Sequence, residues 1–199
     1  MTVGALLGGE RALPAQTRPV VIAVLPFEDR GSYGQDKDVF RALRLGIPAT
    51  IAGELSGHPE LRLADPQRVA RGLKAQNLEA GSHIDAATAA RVGKEAGARY
   101  AITGNFADFY GRFSLDARVV DVETGQIVSV VTNNDPGLQD RANLYRIVQT
   151  VGHKVLAAAG ASSVGAGENE NRLIPTEALT DYSLGLLYES QGDRARAAR

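Results

Sequence analysis

The chain has 199 residues and a mass of 21.0 kDa, enough for one domain of ordinary size with an appendage. Its 22 basic and 23 acidic residues leave a formal net charge of -1, without the concentrated basic field through which nucleic-acid binders release phosphate counterions. The absence of cysteine removes disulfides, thiolate metal sites and thiol catalysis, and no apolar run approaches the roughly 20 residues that cross a bilayer.

A composition that is 44% hydrophobic and 23% charged is that of a globular protein with a packed core. The first 16 residues form a leader with two readings. Ala12-Leu13-Pro14-Ala15-Gln16 fits the last turn before a signal-peptidase cut after Ala15, with Leu13 an imperfect match. Leu6-Leu7 is too short for the usual apolar segment of an export signal, and the other reading is a disordered leader.

Val20 to Leu25 is continuously apolar rather than alternating, which predicts a strand buried on both faces and running to Phe27, limited by Pro26. A loop around Gly31 and Gly34 follows. Val39, Leu43, Ile47, Ile51 and Leu55 recur every four residues, so a helix is expected over 38–56, with a kink or restart at Pro48. Leu61 to Ala64 reads as a short strand. Asp65 and Asp85 are N-caps for helices over 66–78 and 86–96, the second closed by Gly97.

From Arg99 to Val131 the chain reads as three strands joined by turns at Tyr110-Gly111-Arg112 and Glu123-Thr124-Gly125. Tyr100, Ile102 and Phe106 share one face of the first, and Phe113, Leu115, Ala117 and Val119 alternate with Ser114, Asp116 and Arg118 in the second. A long helix over 138–159 closes the unit. The expected fold is α/β, a mixed sheet of about five strands in the order β-α-β-α-α-β-β-β-α, covered by helices and spanning 17–160.

Residues 161–174 lose the apolar periodicity and read as a flexible linker. Over 175–199, Leu184, Gly185, Tyr188, Gly192, Asp193 and Ala197 fall at the spacing of a tetratricopeptide repeat, whose full period is about 34 residues. The chain carries part of one repeat, and a single repeat cannot bury its own apolar face.

Reacting constellations are missing from the pattern. His58, His83 and His153 are not at metal-ligand spacing, and no Walker A motif exists. Gly31-Ser32-Tyr33-Gly34 and Gly165-Ala166-Gly167 lack the strand–loop–helix setting that aims N–H groups at a phosphate. Asp121 and Glu123 read as turn-formers, and Arg41, Arg44, Arg62, Arg68, Arg71 and Lys74 as solvated faces. Glu28 and Asp29 lie just past a central strand, where open α/β sheets place ligands, and are the pocket candidates. Phe109 and Tyr110 fall at a hairpin tip, where large apolar surface calls for a cover. With Arg112 and Tyr188 they are the candidate partner-binding residues. No catalytic residue, metal or cofactor is expected.

Three segments carry a resemblance: VIAVLPFED at 21–29, GARYAITGNF at 97–106 and RFSLDARVVDVETGQIV at 112–128. They are similar to motifs of a family of bacterial envelope domains that includes the curli-secretion component CsgG and the amino-terminal domain of TolB. The resemblance implies a periplasmic or outer-membrane-associated, non-catalytic domain working through contacts with other envelope proteins or with itself. A protein without an export signal would instead be cytoplasmic. CsgG builds its membrane barrel from long inserted hairpins; turns of two or three residues leave no room for membrane strands of about 10 residues, so no pore is expected. An interaction module is therefore the first reading. A small-molecule sensor or enzyme with its pocket at the end of the first strand is the second.

Overall fold

The structure, a computed structural model, describes residues 18–34, 36–78, 82–133, 138–161 and 174–198. It is a mixed α/β fold built on a sheet that contains β1 (Val20–Val24), β2 (Glu28–Asp29), β3 (Leu61–Leu63), β4 (Tyr100–Phe109), β5 (Arg112–Asp121), β6 (Ile127–Thr132) and β7 (Gln139–Asp140). The main strand order is β3-β1-β4-β5-β6. Around β1 the pairing is parallel, and the β4-β5-β6 meander is antiparallel.

Helices cover both faces. α1 (Lys37–Ser56) and α4 (Leu144–Ala158) pack with Ile22, Ile102, Phe106, Phe113, Leu115, Ala117 and Val119 into one core. α2 (Pro66–Ala75) and α3 (Ala86–Ala96) enclose a second core around Ala23, Leu25, Ala101 and Val120. Successive residues of β1 thus feed opposite cores, which is why its sequence is apolar without alternation. In β5 the alternation is plain: Phe113, Leu115, Ala117 and Val119 are fully buried and Ser114, Asp116 and Arg118 are not.

The caps form as expected. Asp65 Oδ1 accepts from the N–H of Gln67 at 2.7 Å, Asp85 Oδ1 accepts from Thr88 N–H at 2.7 Å, and Gly97 ends α3 at φ +70°. Three boundaries differ by three residues or more. The strand expected over 20–27 breaks after Val24, because Pro26 offers no N–H. The N–H of Phe27 instead donates to the carbonyl of Arg44 at 3.0 Å. Pro48 leaves that carbonyl without its helical donor, so α1 continues through the proline and one broken ladder completes the other. Pairing to β4 resumes at β2.

α2 ends at Ala75, where Asn77 turns to φ +52°. The helix expected from 138 starts at Leu144. Before it, β7 pairs with the beginning of β5, Arg112 donates to the carbonyl of Leu138, and Asp140 caps a 3-10 turn over 141–143. Finally, α5 (Thr176–Ser190), the helix expected to open a repeat, lies against α1, with Leu179 and Ser183 buried. The short α6 (Arg194–Ala197) follows a turn at Gly192, φ +77°. α1 therefore covers the apolar face of α5. The 1–16 leader, Gly165–Gly167 and nearly all of the 161–174 linker lie outside the described residues.

Candidate functional site

The β4–β5 hairpin closes with two residues, Tyr110 at φ +54° and Gly111 at φ +87°. Both values are positive, as the two-residue turn that matches strand twist requires. Asp108 Oδ1 accepts from the N–H of Gly111 at 2.7 Å and holds the turn. The Asp108 side chain is fully buried, and its other oxygen faces the Arg141 guanidinium at 3.2 Å. Arg141 also reaches Asp36 at 3.1 Å and lies over the Phe40 ring, fastening the hairpin end to the start of α1.

A second loop runs alongside this tip. Asp29 Oδ1 accepts from Gly31 N–H, from Ser32 N–H and from the Ser32 hydroxyl, at 3.2, 2.9 and 2.7 Å. The Ser32 hydroxyl oxygen in turn accepts from the N–H of Asp108, and Tyr33 N–H donates to the Asp108 carbonyl. These bonds bring Tyr33 beside the hairpin. Its ring stacks on Phe109 at 5.9 Å and on Tyr110 at 6.1 Å between centroids. Exposure is 55% for Tyr33, 40% for Phe109 and 82% for Tyr110. The three rings make one exposed aromatic platform on a hydrogen-bonded base.

Phe109 and Tyr110 thus come together, joined by Tyr33, which the sequence reading passed over. Its signal was a large aromatic between two glycines, at a position where a phosphate loop would carry small residues. Arg112 pairs with Phe109 across the hairpin, but its guanidinium is committed to the Leu138 carbonyl at 2.6 Å. Tyr188 belongs to α5, where its ring lies under Arg196 at 5.6 Å. Neither joins the platform.

Glu28 turns to the other side of the sheet and meets His83 at 2.8 Å. Its strand neighbour Asn105 is buried and bridges Asp116 and Arg118, the amide nitrogen toward Asp116 Oδ2 and the oxygen toward Arg118, each at 3.2 Å. Burial pushes the Asp116 carboxyl above its ordinary value, against the opposing pull of Arg118 and Arg30. This cluster is mutually satisfied, with no nucleophile beside a base. No group of three or more His, Asp or Glu among the described residues is placed to hold a metal ion.

A groove of about 840 Å³ does open past β1, between α1 and α2. Its lining is apolar, with Leu25, Pro26, Ala49, Val69, Leu73 and Leu186 among its walls. Glu28 and Asp29, the expected anchors, do not line it. No helix among the described residues is long and apolar enough to cross a membrane.

No family model matches the chain, and no curated protein matches it in sequence. Solved structures do resemble it. LpoB of E. coli superposes with a TM-score of 0.46 at 14% identity, over 69% of this chain and 80% of LpoB. TolB of Acinetobacter baumannii gives 0.40 at 18% identity, over 71% of this chain and 27% of TolB. The PelC dodecamer of Paraburkholderia phytofirmans gives 0.39 at 18%, over 75% and 93%. TolB, whose amino-terminal domain the sequence motifs resemble, is one of these three structures; a curli-secretion or tetratricopeptide protein is not among the three.

Proposed function

We propose that the protein is a non-catalytic interaction module of the bacterial cell envelope, and that the Tyr33–Phe109–Tyr110 platform is its partner-binding surface. One observation carries the reading. Tyr110 is 82% exposed at φ +54°, a backbone region that costs a bulky residue about 1–3 kcal/mol and that asparagine or glycine fills more easily. A strained, solvent-facing aromatic stacked on a second exposed aromatic adds little to the fold. It suits a contact that removes it from water, since aromatic anchors dominate protein interfaces. The envelope assignment rests on the three sequence motifs, and the contribution of Arg112 is to hold the 138–140 segment beside the platform.

A photo-crosslinking residue at position 110 of the full chain, compared in intact cells with one at exposed position 71 on α2, tests the surface. A discrete adduct at 110, absent at 71 and lost when Tyr33→Ala is added, is expected. Equal labelling at both positions overturns the reading. Cell fractionation tests the compartment separately, and a wholly cytosolic pool removes the envelope half.

The groove past β1 favours a second reading, a receptor for an apolar molecule. Saturable thermal stabilisation by a long-chain fatty acid, abolished by Leu73→Glu, would support it.

A further inference from the structure

We infer that Arg141 is the positioning residue of the aromatic platform and that it couples the platform to α5, so that the docked helix sets how Tyr110 is presented. The inference rests on the reading of the platform as a contact surface. Tyr110 keeps a left-handed backbone, φ +54°, and such strain persists only where the surrounding structure over-determines it. Here the constraint is a closed ring of three residues. Gly111 N–H donates to Asp108 Oδ1 at 2.7 Å, and the N–H of Arg141 donates to the Gly111 carbonyl at 2.8 Å. The Arg141 guanidinium then lies 3.2 Å from the second Asp108 oxygen and closes the ring.

Asp108 depends on this partner. Its side chain is fully buried, and among the described residues Arg141 supplies the one cation within ion-pair distance. A buried carboxylate stripped of its counter-charge is strongly disfavoured, so Asp108 holds the turn only while Arg141 stays in place. The Arg141 guanidinium also reaches Asp36 at 3.1 Å and lies over the Phe40 ring, and its neighbour Asp140 pairs with Arg112. A further contact comes from α5. The Thr176 hydroxyl shares its hydrogen between the carbonyls of Arg141 and Ala142, at 3.0 and 2.8 Å.

Of these supports, α5 is the one that withdraws most easily. Two of its fifteen residues are buried, against seven of fifteen in α4, which packs on both α1 and the sheet. Elements with few buried side chains open at the lowest free-energy cost. Docked, α5 keeps Thr176 on the Arg141 carbonyl. Released, it takes that bond away and loosens the ring around Gly111, and Tyr110 relaxes out of the left-handed region. Docked and released α5 are the two states that the platform reads. Coupling between two sites is reciprocal, so a partner that holds Tyr110 in its strained form also favours the docked helix.

A 3-fluorotyrosine placed at position 110 of the full chain reports the surroundings of the ring by its fluorine resonance, without any partner. Thr176→Val removes the hydroxyl and keeps the shape, and Arg141→Lys keeps the charge but not the planar fork. Thr180→Val is the control, since that hydroxyl bonds within α5 to the Glu177 carbonyl. The resonance is expected to move in Thr176→Val and Arg141→Lys and to stay in Thr180→Val, with circular dichroism unchanged. A shift in Arg141→Lys alone overturns the coupling to α5. No shift in either, or an equal shift in all three, overturns the whole inference. Thr176→Val decides the coupling even where Arg141→Lys does not fold. In cells, the adduct at position 110 should fall about fivefold or more in Thr176→Val, and an undiminished adduct overturns the inference. An adduct missing from the parent chain counts against the platform reading instead, and the fluorine resonance then still decides the coupling.

Discussion

The ring of Phe27 occupies the space that a side chain on Gly104 would need: a Cβ there would lie 2.5 Å from Phe27 Cε2 and closer still to the carbonyl oxygen of Asp116. Two of the motifs behind the family resemblance, the Pro-Phe that ends the first strand and the glycine of the second, are thus two halves of one contact. Pro26 sends the chain off the sheet, the Arg44 carbonyl takes the Phe27 N–H, and the ring drops onto the bare backbone of β4. Gly104→Ala is expected to destabilise by about 3 kcal/mol or more, since a backbone oxygen cannot move aside as a flexible side chain could. Phe27→Ala should cost about 3–5 kcal/mol by leaving a cavity. The double variant should not recover stability, because the Asp116 carbonyl remains. Urea unfolding of the three variants checks this.

Gly46 and Ser183 meet in the same way between α1 and α5. A Cβ on Gly46 would lie 2.5 Å from Ser183 Cβ and 3.1 Å from its Cα. Gly46→Ala gains about 1 kcal/mol of helix propensity, but the overlap should cost about 1–3 kcal/mol or push α5 away from α1. Ser183→Gly removes the overlapping atoms. The double-mutant cycle should therefore show a positive rescue, with Gly46→Ala/Ser183→Gly more stable than the sum of the singles. Protease cleavage ahead of α5, faster in Gly46→Ala alone, reads the same displacement.

What could be read from the sequence was what neighbouring residues decide. Asp65, Asp85 and Gly97 mark helix ends by bonds within three or four positions, and the alternation of β5 needs only its own side chains. Two of the misread boundaries depend on partners far along the chain. The break at Pro26 needs Arg44, and the delayed start of α4 needs the pairing of Asp140 with Arg112. The docking of α5 needs a glycine that looks unremarkable in mid-helix. The site divides likewise: Phe109 and Tyr110 were visible as large residues at a turn. Tyr33 joins them through a serine bonded to Asp108, 76 positions away, which no local pattern reports.

Asp121 gives the fold an acid dependence at the other end of β5. Its carboxylate accepts from the N–H groups of Thr124 and Glu123 and pairs with Arg99 at 2.8 Å. The Thr124 bond leads in holding its pKa below the ordinary value. A carboxyl whose folded pKa is depressed contributes stability above its unfolded value, about 3.9, and loses it as pH falls through the folded value. Asp121→Asn keeps the acceptor oxygen and removes the titration. The parent chain should lose more stability than the variant in the window below about pH 4. Urea midpoints measured across that range check it, and parallel curves for the two proteins would contradict it.

The sharpest separation of stability from contact is at the hairpin tip. Tyr110 holds a left-handed conformation that asparagine adopts several times more readily, and Asn-Gly is the preferred pair for this turn. Tyr110→Asn should leave the Asp108 bond to Gly111 intact and relieve the strain, raising stability by about 0.5–1 kcal/mol, a few degrees in Tm. The same change removes the most exposed ring of the platform and should abolish the partner contact. A residue kept only for folding would show the two effects in the same direction. A chain that melts higher while its adduct at a neighbouring position disappears would show that the turn carries tyrosine at the expense of its own stability. Calorimetry of Tyr110→Asn, with cross-linking read from position 109, measures both in one protein.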